Sequence, residues 1–146
     1  MKRLSQYVVL LTIVAVCIGC AAKETNTKED LGFDKATTIE VTNANNPDDV
    51  EEVMDNQEKI DAFTDSLEVN KWELSDIPDT AKADKMYKIM QLGTKTLKNS
   101  EESNDTLREI AAIVTYKDVP YVRFQTDKTI FHFKIPKEVA QDLSDR

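Results

Sequence analysis

Few residues of this chain have types and spacings that support chemistry. His132 is its single histidine, and acid–base or nucleophilic work by an imidazole needs a partner and a third group to orient it. Between Phe131 and Phe133 in an alternating run, it is accounted for as a solvent-facing strand residue. Asp48, Asp49, Glu51, Glu52, Asp55 and Glu58 offer hard oxygen atoms of the kind calcium takes. They lack the glycine-turned loop that bends such ligands around an ion, and read instead as a solvated face with acids at a helix start. Three glycines in all leave little room for a phosphate-cradling loop, and no nucleophile elbow or zinc motif occurs. The expectation is a protein that is not an enzyme and uses no metal or cofactor. Among the aromatic residues, Trp72, Tyr87, Tyr116 and Tyr121 read mainly as sheet and core. Tyr121 and Arg123, on one face of one strand, form with Trp72 the candidate interaction surface.

One thiol stands apart. The chain opens MKRLSQYVVLLTIVAVCIGC: Lys2 and Arg3 supply positive charge, and an apolar run extends from Tyr7 to Ile18. Gly19-Cys20 closes it, and the chain turns polar at Lys23-Glu24. About 20 helical residues are needed to span a bilayer, so this run is too short and has the three-part layout of an export signal. Ile18-Gly19-Cys20 resembles the lipobox of bacterial lipoproteins. The family prefers leucine three positions before the lipidated cysteine, where this chain has Cys17. The resemblance implies a diacylglyceryl thioether on Cys20, which becomes the first mature residue and is held at the outer face of the cell membrane. Two fatty acyl chains of the palmitate type make such anchoring effectively permanent, because each buried CH2 contributes about 0.8 kcal/mol. Ordinary secretion with cleavage after Ala22 is the competing reading of the same residues.

Composition bounds the rest. Of the 146 residues, 19 are basic and 27 acidic. Residues 1–19 carry two of the bases and no acid, so the exported part sets 17 bases against 27 acids, a net charge of −10. That surface opposes nucleic acid and anionic headgroups. Both cysteines, Cys17 and Cys20, belong to the leader region, leaving a domain stabilised by burial rather than by disulfides. The organisation expected is a signal peptide over 1–19, a lipidated N-terminus and flexible tether over 20–34, and one domain over 35–146.

Within that domain, Ala36–Val41 is β-branched and reads as a strand, followed by a loop over Asn43–Asp49 around Pro47. Val50–Met54 fits either a short strand or an early helical turn. Asp55 with Glu58 has the spacing of a capping box, ahead of Ile60, Phe63 and Leu67 at helical spacing. Trp72–Leu74 suggests a short strand and 85–92 another, with Met86 and Met90 as core filler. The polar run 98–106 reads as an exposed turn. Glu109–Tyr116, Tyr121–Thr126 and Thr129–Ile135 make the clearest β region, the last two joined by a tight hairpin at Asp127-Lys128. Pro136 suits the first position of a short helix carrying Val139, Ala140 and Leu143. The sum is an α+β fold: an antiparallel sheet of about five or six strands, with one main helix and a short C-terminal helix packed on one face.

The function this supports is a membrane-anchored extracytoplasmic lipoprotein that recognises an envelope or surface protein without catalysis. A small-ligand or peptide-binding lipoprotein accessory to a transporter is the alternative, although a single domain lacks the two lobes such receptors usually close around their ligand.

Overall fold

The computed structural model describes residues 31–93 and 106–146. The leader, Cys17, Cys20, both cleavage positions, the tether up to residue 30 and most of the polar run 98–106 lie outside the described residues.

Seven strands form one sheet, all neighbours antiparallel: β1 (Thr38–Asn43), β2 (Asn46–Met54), β3 (Glu73–Leu74), β4 (Ala83–Leu92), β5 (Leu107–Tyr116), β6 (Tyr121–Gln125) and β7 (Ile130–Lys134), in the spatial order β2-β1-β4-β5-β6-β7-β3. Two α-helices, α1 (Gln57–Ser66) and α2 (Lys137–Asp145), complete the α+β fold. The seventh strand beyond the expected five or six comes from the segment containing Val50–Met54. It is a strand, and it begins at Asn46 where a loop was expected. A tight turn makes this possible: the Asn45 N–H donates to Asn43 Oδ1 at 2.9 Å. Pro47 is tolerated because β2 is an edge, where a missing N–H breaks no ladder. The β1–β2 register jumps from Thr42 opposite Val50 to Asn43 opposite Asn46, so Pro47, Asp48 and Asp49 bulge from the edge.

Alternation decides the core. Ile39, Val41, Tyr87, Ile89, Ile113, Val122 and Phe124 share one sheet face and are fully or almost fully buried. Ile60 and Phe63 of α1 and Val139 and Leu143 of α2 pack into the same cluster. Both helices therefore cover one face, each through the apolar stripe read from its spacing. Phe63 stacks on Tyr87 with ring centroids 5.2 Å apart. The buried Tyr87 hydroxyl donates to the Leu143 carbonyl at 2.5 Å, tying the middle of β4 to the last turn of α2.

Three local details differ from expectation. The N-cap of α1 is Asn56, whose Oδ1 accepts from the Glu58 N–H at 2.8 Å and more weakly from the Lys59 N–H; Asp55 stands one residue too early. Pro136 is the N-cap of α2, one position before the helix proper. Phe33 is buried against Phe124 (6.0 Å, edge to face) and Leu31 packs on the same core, so packed structure reaches further upstream than Lys35. Gly32, at φ +77° in the left-handed region, turns the chain into that position.

Candidate functional site

Removing every side chain committed to the core leaves the second sheet face, on which no described helix packs. Register draws two lines across it. The first runs Val50, Thr42, Met86, Val114, Arg123, His132 from β2 to β7. The second runs Val53, Glu40, Lys88, Ala112, Gln125, Ile130. Thr42, Ala112 and Val114 have no exposed surface although no helix lies above them. Each is flanked in register by longer side chains that can cover it: Thr42 by Val50 and Met86, Val114 by Met86 and Arg123, and Ala112 by Lys88 and Gln125. Met86 and Met90, expected as core filler, belong to this face and are partly exposed. Val50 and Val53 are 44% and 48% exposed.

Tyr121 and Arg123 lie here as the alternation requires, both half-buried. Across the β6–β7 hairpin Tyr121 faces Lys134 and Arg123 faces His132. Trp72 is elsewhere. It sits on the helix-covered side, its ring 5.4 Å from that of Phe133 and its Nε1–H donating to the Leu67 carbonyl at 2.7 Å. Those contacts make Trp72 a packing residue that closes the end of the core, separate from the Tyr121–Arg123 pair.

The sequence reading missed His132 and Lys134 as companions of Arg123. The signal was present in the turn, because Thr126 N–H bonds to Thr129 O at 2.9 Å and so sets the pairing of every residue after it. With that loop length, Arg123 must stand opposite His132. Arg123 carries a further peculiarity: its Nε is out of contact with solvent and has no hydrogen-bond acceptor among the described residues.

Two hollows open on the surface. One, of about 390 Å³, opens where β3 ends beside β7 and is lined by Leu74, Ser75, Asp76, Ile130, Phe131 and His132. The other, of about 400 Å³, lies between the turn Asp118–Pro120 and α2, with Tyr116, Lys137 and Gln141 around it. Among the described residues no group of three or more His, Cys, Asp or Glu side chains is placed to hold a metal ion. Asp48, Asp49, Glu51 and Glu52 are strung along the β2 edge, with Glu58 separate in the first turn of α1. Also among the described residues, no helix is long and apolar enough to cross a membrane.

Burial pushes the Tyr87 hydroxyl well above the ordinary phenol range, with Arg146 opposing the shift and Asp142, Glu52 and Asp84 reinforcing it. That hydroxyl is engaged with Leu143 inside the core, away from either hollow. Compared with models of protein families, with curated proteins and with solved structures, the chain matches none.

Proposed function

We propose that this chain is a lipid-anchored, extracytoplasmic lipoprotein that acts without catalysis, as a protein-interaction module docking partners on the helix-free face of its sheet. The observation that carries the reading is that face. It places Val50, Val53 and Met86 at one end and Tyr121, Arg123 and His132 at the other, with both helices committed to the opposite side. Large contact area with few flexible polar groups is what reversible protein recognition needs. Attachment through Cys20 would confine encounters to the membrane surface and raise the effective concentration of envelope partners.

Two measurements on the full chain in a bacterial host test this. Cys20→Ser should release the protein from the membrane fraction or leave an uncleaved precursor. A mutant that is processed and stays equally membrane-bound refutes the anchor. A photo-crosslinker at Gln125, on the helix-free face, should give a discrete protein adduct that the same crosslinker at Lys59, exposed on α1, does not give. No adduct at Gln125 refutes the docking face.

The second hollow favours one competing reading, a small-ligand lipoprotein, because its volume of about 400 Å³ falls within the range of ligand sites. A thermal shift of several degrees with a small molecule, in the absence of any adduct, would select that reading instead.

A further inference from the structure

On an acidic chain, the helix-free face of β6 and β7 gathers two cations, Arg123 and Lys134, with the N–H donor His132 between them, and no acids. Its six positions are Tyr121, Arg123 and Gln125 on β6 and Ile130, His132 and Lys134 on β7. Arg123 and His132 are directly opposite each other, and Lys134 is the next residue on that face. Three bases elsewhere find acids: Lys71 pairs with Glu68, Lys85 with Glu51 and Arg146 with Asp142. None of the ion pairs among the described residues involves Arg123, His132 or Lys134. The guanidinium of Arg123 also keeps one N–H out of water without an acceptor among the described residues. An unpaired buried donor costs free energy that a docked acceptor recovers. Glu73 stands opposite Lys134 on β3, and Asp76 lies in the wall of the adjoining hollow.

The edge beside this block is apolar and open. β3 pairs with Phe133 and Lys134 only, and beyond it the Ser75 N–H reaches the His132 carbonyl at 3.1 Å. Among the described residues, no strand pairs with Ile130 and Phe131 on the side away from β6. Leu74, Ile130 and Phe131 are 73%, 60% and 40% exposed around the hollow of about 390 Å³.

Resting on the interaction-module reading above, we infer that the partner presents an extended segment in which carboxylates alternate with apolar side chains. The carboxylates sit on Arg123, His132 and Lys134, and the apolar side chains enter the hollow between Leu74, Ile130 and Phe131. Alternation follows from the period of an extended chain laid along an open sheet edge. A localised run of carboxylates suits this site better than a long anionic polymer, which the net charge of −8 repels over most of the surface.

The test uses the full chain in detergent and fluorescence anisotropy of three labelled probes. These are the peptide ELEFELE, its charge-inverted counterpart KLKFKLK, and a short linear polyphosphate. ELEFELE is expected to bind saturably and KLKFKLK at least about tenfold more weakly. Arg123→Gln and Lys134→Gln should each weaken ELEFELE binding by about tenfold, the scale of one charge-assisted hydrogen bond. Lys71→Gln, on a base already paired to Glu68, should leave it unchanged. Circular dichroism checks the fold of Arg123→Gln, and the exposed Lys134 and His132 supply variants that do not disturb packing. Absence of saturable ELEFELE binding, equal binding of KLKFKLK, tighter binding of polyphosphate, or indifference to both variants overturns the inference. If the Gln125 crosslinker still yields an adduct in cells, only the partner chemistry falls; if it yields none, the docking reading falls with it.

Discussion

Replacing Tyr87 by phenylalanine deletes a single oxygen from the centre of the molecule, and its cost can be worked out. The carbonyl of Leu143 lies in the last turn of α2, where helical N–H partners run out. The Tyr87 hydroxyl is its donor at 2.5 Å. Both residues have no exposed surface, so water does not substitute, and an acceptor left unpaired there costs about 1–3 kcal/mol. For a domain of this size each kcal/mol lowers Tm by about 4 °C. The same hydroxyl gives a second, pH-resolved signature. Its folded pKa is raised by burial, so its stabilisation is fully present below the unfolded value of about 10 and is lost as pH rises from there toward the folded value. By pH 11 the unfolded chain has ionised this tyrosine and the wild type has lost about 1.4 kcal/mol that the variant never had. Urea unfolding of both proteins at pH 8 and pH 11 should show a gap of about 2 kcal/mol shrinking to well under 1. A gap equal at the two pH values, or amide exchange in α2 unaffected by the substitution, would refute the argument.

Asn56→Ala should cost about 1 kcal/mol in urea unfolding, with Asp55→Ala within a few tenths of wild type, because only Asn56 accepts from the first-turn amides. Leu143→Ala removes a fully buried side chain from the contact of α2 with the sheet and should destabilise by about 2–5 kcal/mol, read by the same method. Trp72→Phe keeps a tilted ring contact with Phe133 but removes the Nε1–H donor of the Leu67 carbonyl. It should cost about 1–3 kcal/mol while leaving ELEFELE binding unchanged, since Trp72 does not line the hollow beside β7.

Legibility tracked whether a segment's environment is written in its own residues. β5, β6 and β7 alternate or run apolar, and α1 and α2 show their stripes, so their places followed from period alone. The β2 segment NPDDVEEVM is exposed at all but its last position. Its strand character comes from pairing with β1 across a turn, which no internal period announces. Phe33 stands in a polar stretch, and only the arrival of Phe124 from far along the chain makes it core. Arg123 and Tyr121 were recognisable as neighbours on one strand. Their company with His132 and Lys134 required the hairpin register, and the uncoupling of Trp72 from them required the third dimension.

The placement of Phe33 has a mechanical consequence. Were the domain held to a surface by its N-terminal end, every tug would arrive at the first described residues packed on the core, Leu31 and then Phe33, the latter wedged against Phe124. Force passing that wedge enters β1 lengthwise. β1 is bordered on both sides, by β2 through five register pairs and by β4 through six. Pulling along its axis loads both ladders in shear, so their hydrogen bonds resist together instead of opening one after another. The short 3-10 turn at Phe33–Lys35 is closed by two backbone hydrogen bonds against eleven register pairs along β1, so under such a load it would lengthen before the sheet sheared.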